Sequence, residues 1–167
     1  MTQLARSCGT CTLCCRLFPV PELAKPAGRW CQHTVQGRGC GIHLTRPSVC
    51  RNFDCQWLQN VDLGPEWKPE RSKFVLSIYP GTNSLAVTVD PAFPRAWAQD
   101  AFLPSLRMWA QAALHEGQMV IVFVGNKASV ILPDSEKELG SIGPGDRIVT
   151  LRNGPLFDVE VQHDGVR

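Results

Sequence analysis

The chain has 167 residues, which suits one domain or a domain with a small additional module. Its 17 Lys/Arg and 15 Asp/Glu residues leave a net charge of +2, and the seven Lys/Arg of residues 1–60 form no run or stripe. This pattern argues against a nucleic-acid-binding protein, and the longest purely apolar stretch of the second half, Met119–Val124, is too short to span a bilayer.

The first 60 residues, here called the cysteine segment, carry all eight cysteines and open with Cys8-Gly-Thr-Cys11-Thr-Leu-Cys14-Cys15. Thiolate is the ligand that zinc, copper(I) and the iron of iron–sulfur clusters prefer. Two residues between cysteines let both sulfurs turn towards one centre. We therefore expect Cys8, Cys11 and Cys14 to share a centre with at least one later cysteine. The predicted metal ligands are Cys8, Cys11, Cys14, Cys15, Cys31, Cys40, Cys50 and Cys55.

The adjacent residues Cys14 and Cys15 need a separate explanation. Their α-carbons lie about 3.8 Å apart, as in any trans peptide. Consecutive side chains usually point apart, so we expect the two thiols to serve different metals, unless one of them bridges two metals or only packs.

A disulfide framework is the alternative for an even number of cysteines, because small secreted domains use such bridges. However, the stretch Met1–Ser7 that precedes the cysteines is short and polar and has no apolar targeting core. We therefore predict reduced thiols and a cytoplasmic protein.

The cysteine segment resembles the YkgJ-type cysteine-cluster proteins, which are described as zinc- or iron-chelating domains. The resemblance rests on the opening run, on Cys40-Gly-Ile-His43 and on Arg46-Pro-Ser-Val-Cys50-Arg-Asn-Phe53-Asp-Cys55, and it covers about a third of the chain. It implies metal chelation with no settled activity. Among the relatives is a flagellin lysine methylase whose cysteines are associated with an iron–sulfur cluster.

His33 and His43 are further candidate ligands within the cysteine segment. The related proteins usually have an aromatic residue at the position of His43, which is therefore either a packing residue or an extra ligand. A mixture of cysteine and histidine suits zinc, but eight thiols already suffice for two four-coordinate sites. We therefore interpret both histidines primarily as polar loop residues.

Zinc is the preferred metal, because two sites of four thiolates each use all eight thiols. The cysteine segment has seven Lys/Arg residues against Glu22 and Asp54, a net charge of +5, which eight thiolates and two zinc ions would reduce to +1. The alternative is a [4Fe–4S] cluster for electron transfer or for support of a partner enzyme, because closely spaced cysteines followed by a remote fourth are typical of cluster ligands. Neither alternative identifies the partner.

A hydrolytic enzyme is not expected from these residues. Hydrolytic zinc keeps a position for water and usually has histidine or carboxylate ligands beside a general base. Thiols outnumber those ligands in the cysteine segment, which has no His-Glu-x-x-His or His-x-Glu arrangement. The metal is therefore predicted to be structural or redox-active.

The pattern of the second half predicts an α+β domain with a mostly antiparallel sheet and one main helix. This domain follows a small, irregular cysteine-rich module. Composition divides the chain into a metal-binding module at 1–60, a linker at 61–72 and the α+β domain at 73–167. Asp134, Glu136 and Glu138 are interpreted as a solvated loop. Strands are expected at Phe74–Tyr79, Leu85–Val89, Met119–Val124, Ala128–Leu132, Ile148–Arg152 and Leu156–Val161, with a helix that carries Phe102, Leu106, Trp109 and Ala113 and a tight turn at Asn153-Gly154.

Overall fold

The computed structural model describes residues 6–143, 145–153 and 156–163. The cysteine segment contains only short elements, and the turns between them are formed by local backbone hydrogen bonds. These elements are the helices α1 (Leu13–Leu17), α2 (Ser48–Arg51) and α3 (Gln56–Gln59), and a two-stranded antiparallel ribbon of β1 (Thr34–Val35) and β2 (Gly39–Cys40). Helix α4 (Pro69–Ser72) follows and leads into the main sheet.

The main sheet has five strands in chain order, and helix α5 (Leu103–His115) connects the second strand to the third. This crossover makes one neighbouring pair parallel, while the other neighbours are antiparallel. The strands are β3 (Phe74–Ile78), β4 (Leu85–Val89), β5 (Val120–Val124), β6 (Lys127–Ile131) and β7 (Glu136–Ser141), and a separate hairpin consists of β8 (Arg147–Asn153) and β9 (Leu156–Gln162).

Both faces of the main sheet are covered, because strand side chains alternate between the two faces. Leu76 and Val122 belong to the core that includes Leu106 and Ala110 of α5. On the opposite face, Val75 packs with residues of the cysteine segment. Also on that face, Ile121 and Val130 pack with Val159 of β9. The cysteine segment and the β8–β9 hairpin therefore cover different parts of the same sheet face.

The predicted α+β class, with one main helix and a mostly antiparallel sheet, is confirmed. The predicted strands appear with their ends shifted by at most one residue, and Pro104 lies in the first turn of α5, where a missing N–H is tolerated. The solvated loop predicted at Glu136 and Glu138 is wrong, because these residues lie in β7. This strand pairs with β6 and forms one edge of the main sheet. The turn predicted at Asn153-Gly154 falls partly outside the described residues.

Two further features bear on the predicted organisation. The stretch 61–72, predicted as a linker, contributes Leu63 and Trp67 to the core that packs against α5. In the part of the chain that the structure describes, no helix is long and apolar enough to cross a membrane.

A buried ion pair joins the cysteine segment to the main sheet. The Arg16 guanidinium, on α1, donates to the Asp90 carboxylate at the end of β4 over 2.7 Å. Asp90 is only 4% exposed, and its other oxygen accepts from the Ala92 N–H. Removing one partner would leave a charge without compensation in a place that water reaches poorly.

The substitution Asp90→Asn tests this connection, because it keeps an acceptor for the Ala92 N–H but removes the charge. Removing one partner of a buried pair costs ~3–5 kcal/mol, and we expect the lower end because the Arg16 side chain stays 25% exposed. Urea unfolding of the full chain measures the loss. Glu136→Gln is the matched control, since its pair with Arg95 is exposed and should cost less than ~1 kcal/mol. Equal effects of the two substitutions would contradict the assigned role of Asp90.

Candidate metal centre

One cavity of about 770 Å³ contains the candidate site. It lies between the cysteine segment and the sheet face that carries Val75, Ser77 and Thr88. Every predicted ligand lines it: Cys8, Cys11, Cys14, Cys15, Cys31, Cys40, Cys50 and Cys55. All eight are free cysteines. The fold therefore brings together thiols that the sequence scatters over 48 positions.

Four of the cysteines, here called the inner group, share one apolar cluster. Cys55 is buried in this cluster with Leu58 and Val75. Partly buried cysteines of the opening run pack against it, so that the inner group consists of Cys8, Cys11, Cys14 and Cys55. The opening run therefore packs with one later cysteine, Cys55 at the start of α3, while a shared metal centre stays a prediction.

Backbone amides face two sulfurs of the inner group. The N–H groups of Leu13 and Glu70 lie at the Cys11 sulfur, and those of Leu58 and Trp57 lie at the Cys55 sulfur. These donors lie at or near the starts of short helices, where the first N–H groups have no partner within the helix. Burial nevertheless raises the pKa of both thiols, because the apolar cluster disfavours thiolate in the absence of a metal.

The remaining cysteines, here called the outer group, are Cys15, Cys31, Cys40 and Cys50. The Cys31 N–H donates to the Cys15 carbonyl over 3.2 Å, and the Thr34 N–H donates to the Cys31 carbonyl over 3.0 Å. Thr34 is paired with Cys40 across the β1–β2 ribbon. Burial raises the pKa of Cys50, and the negative charges of Cys15, Cys31 and Cys40 raise it further. The four outer thiols are therefore electrostatic neighbours.

A close glycine–glycine contact holds the opening run against the ribbon. Gly39 precedes Cys40 and has φ +97°, and a Cβ atom there would lie 2.3 Å from the Gly9 carbonyl oxygen. Gly9, between Cys8 and Cys11, also has a positive φ of +55°. Only glycine combines this backbone conformation with such an approach. The contact sets the distance between the two parts of the cysteine segment.

The neighbours Cys14 and Cys15 shift each other's pKa in opposite directions. The interaction of the two side chains raises the pKa of Cys14 and lowers that of Cys15 to about 7. Burial opposes the change at Cys15, while the charge of Lys25 favours its thiolate. Cys15 is therefore the readiest thiolate among the cysteines of the metal-free chain whose shifts are resolved.

Lys25 supplies a buried positive charge beside the outer group. Lys25 is only 8% exposed, and its ammonium group donates to the carbonyls of Arg16 and Phe18. Burial lowers the pKa of Lys25, whereas thiolates at Cys31 and Cys15 oppose that change. No spacing rule indicates this lysine, because its position depends on the turn at Pro21–Leu23.

The two histidines occupy different places. His43 lines the cavity, and its Nδ1 accepts from the Arg46 guanidinium over 3.2 Å. His33 does not line the cavity, and its Nε2 lies 3.3 Å from the Gln32 amide. Arg46 also donates to the Cys50 carbonyl over 3.3 Å. The side chain of Arg46 thus joins His43 to the backbone of an outer cysteine.

The fit of these residues to a metal depends on donor chemistry. Among the described residues, the structure contains no group of three or more His, Cys, Asp or Glu side chains arranged to hold a metal ion. The donor set is nevertheless that of thiolate centres, since amide N–H groups face two sulfurs and a cation lies beside others. The Thr34 hydroxyl oxygen is buried without a hydrogen-bond partner, close to the Cys15 sulfur. The residues therefore fit zinc or an iron–sulfur cluster chemically.

Comparisons with protein-family models, with curated proteins and with solved structures found no match to this chain. The resemblance to YkgJ-type proteins therefore stays a prediction from the cysteine motifs. Functional inference depends on the chain's own residues and their arrangement.

Gly39→Ala tests the contact between the run and the ribbon. The new methyl group would overlap the Gly9 carbonyl, which adds ~1–3 kcal/mol of overpacking to the backbone strain. Gly37→Ala is the matched control, because φ is +72° there but no atom lies within 4 Å, so only ~1–2 kcal/mol of strain is expected. Urea unfolding of both variants measures the difference. Equal destabilisation would show that the contact is not required.

Thiol labelling tests the opposite pKa shifts of Cys14 and Cys15. A thiol reacts with iodoacetamide as thiolate, so labelling falls as the pH drops below its pKa. In the reduced, metal-free chain we expect Cys15 to label with a midpoint near pH 7, while Cys14 stays unlabelled up to pH 9. Peptide mass spectrometry from pH 6 to 9 resolves the two sites, and Cys55 provides the comparison for a buried thiol with raised pKa. Equal labelling of Cys14 and Cys15 would contradict the assignment.

Proposed function

We propose that this chain is a metal-binding protein that holds zinc through the thiolates of its cysteine segment. The observation that carries the proposal is the single cavity lined by all eight cysteines. Eight thiolates satisfy two tetrahedral zinc ions with none left over. A reducing compartment such as the cytoplasm would keep these thiols available for metal.

Charge balance supports the proposal. The cysteine segment has a net charge of +5 before its thiols ionise. Lys25 and Arg46 lie close to the cysteines, so their charges can offset those of the thiolates. Two zinc ions with eight thiolates carry a net charge of −4 between them. Metal binding therefore brings the segment close to neutrality rather than adding repulsion.

An iron–sulfur cluster is the second candidate. The cavity of about 770 Å³ has room for more than an ion, because a zinc ion fills only the gap between sulfurs at about 2.3 Å. Hydrogen bonds to sulfur and exclusion of water are also the features by which proteins adjust cluster potentials. The amide groups at Cys11 and Cys55 are donors of this kind. This candidate implies electron transfer or support of a partner enzyme.

The metal is proposed to have a structural or redox role rather than a hydrolytic one. Four thiolates place much negative charge on a zinc ion, which makes it a poor Lewis acid, and they leave no position for water. His43 is the histidine that lines the cavity, and its Nδ1 already accepts from Arg46. A role in folding agrees with the short elements of the cysteine segment.

Metal removal tests the proposal. Binding energy becomes folding energy in a module of this kind, so chelation should increase amide exchange in residues 6–60 while β3 to β6 stay protected. The experiment uses full-length protein prepared without oxygen, with hydrogen exchange measured before and after chelation. Restoring zinc should restore protection and provides the control.

The same preparation identifies the metal. A colourless protein with about two zinc ions per chain is expected, and a brown, oxygen-sensitive protein containing iron and sulfide would favour the cluster. Unchanged protection in residues 6–60 after verified metal loss would contradict a role for metal in folding. A reduced chain that retains neither zinc nor iron would contradict the proposal as a whole.

A further inference from the structure

We propose that the eight cysteines form two separate four-thiolate centres, one held by the inner group and one by the outer group, and that Lys25 compensates the charge of the outer centre. The inner ligands are Cys8, Cys11, Cys14 and Cys55, and the outer ligands are Cys15, Cys31, Cys40 and Cys50. This inference rests on the proposed metal binding and extends it to the number of centres, their ligands and a residue that distinguishes them.

The first argument is packing. The apolar cluster beside Val75 contains the four inner cysteines, and no outer cysteine belongs to it in the described part of the chain. Cys55 lies at the start of α3, and the amide groups that face its sulfur come from the same turn of backbone. The inner ligands are therefore held by side chains that face the sheet.

The second argument is backbone connection within the outer group. Hydrogen bonds connect the chain at Cys15 to Cys31, and Cys31 to Thr34, which is paired with Cys40. Cys50 lines the same cavity and, like these three, lies outside the apolar cluster. The outer ligands are thus held mainly by the β1–β2 ribbon and the turns beside it, rather than by the apolar cluster.

The third argument concerns the two adjacent cysteines. Cys14 and Cys15 both lie in α1, where successive side chains are turned by about 100° around the helix axis. Cys14 packs with the inner cluster, whereas Cys15 lies at the Thr34 hydroxyl and near Lys25. One turn of helix therefore supplies a ligand to each centre, which explains why two thiols stand next to each other.

The fourth argument is the placement of Lys25. A divalent metal with four thiolates carries a net charge of −2, and such a charge is unfavourable away from water without a nearby cation. The ammonium group of Lys25 is held by the carbonyls of Arg16 and Phe18, which follow Cys15 along the chain. Lys25 is only 8% exposed, so its ammonium group is held next to the backbone that carries Cys15, an outer ligand, and away from bulk water.

Paired substitutions that remove the same number of thiols test the ligand sets. Cys8→Ser with Cys55→Ser, and Cys31→Ser with Cys50→Ser, each damage one centre, so each variant should keep about half of the wild-type metal. Cys50→Ser with Cys55→Ser damages both centres and should lose nearly all of it. Metal per chain is measured on full-length protein after a chelator wash. Equal losses in all three variants would overturn the two sets.

A measurement on wild-type protein covers the case in which a double variant fails to fold. Limited chelation followed by N-ethylmaleimide labelling marks the thiols released when the first metal leaves, and tandem mass spectrometry locates them. Four labels confined to one set are expected. A mixture of inner and outer labels in the one-metal species would overturn the assignment. Wild-type protein that binds no metal would instead refute the proposed function, so the two failures are distinguishable.

Lys25→Met tests the charge partner. We expect the outer metal to leave at a chelator concentration about tenfold lower, with the inner metal of the same molecules as an internal reference for folding. Lys127→Met is the matched control, because Lys127 is exposed on β6, and it should change neither centre. Equal weakening of both centres, or no change in the outer one, would overturn the role of Lys25.

Discussion

The arrangement of the cysteine segment depends on its packing against one face of the main sheet. The described part of the segment, residues 6–60, contains only short helices and a ribbon with two residues in each strand, so it has little apolar surface of its own to bury. Val75 of β3 packs with Leu13, Leu17 and Leu58 and with the inner cysteines. The buried pair of Arg16 and Asp90 fixes α1 against the end of β4. This sheet face adds to contacts within the segment, such as that between Phe18 and Phe53, in aligning the early cysteines with Cys55.

The same packing explains the chemistry of the thiols. Burial in an apolar cluster disfavours free thiolate, which is why the pKa of Cys8, Cys11 and Cys55 is raised. Amide donors and nearby cations partly offset this cost at particular sulfurs. Such an environment favours thiolates whose charge is shared with a bound metal over thiolates left alone. This environment agrees with the proposed four-thiolate centres, which leave no position for water on the metal.

The two proposed centres would differ in what holds them. Inner ligands depend on the sheet and on α3 and α4, whereas outer ligands depend on the ribbon, on Lys25 and on the chain around Arg46. The contact between Gly9 and Gly39 joins the two groups of supporting backbone.

The sequence alone determined the type of elements and the composition of the site. The apolar and β-branched residues of Phe74–Ile78 and Leu85–Val89, and the helical period of 3.6 in Leu103–His115, are local properties that survive in the fold. Only the tertiary structure decided which cysteines meet and that β4 and β5 run parallel. It also decided the position of Lys25 and that the acidic stretch Glu136–Ser141 forms the edge strand β7. These features depend on contacts between residues far apart in the chain, and spacing rules carry no information about such contacts.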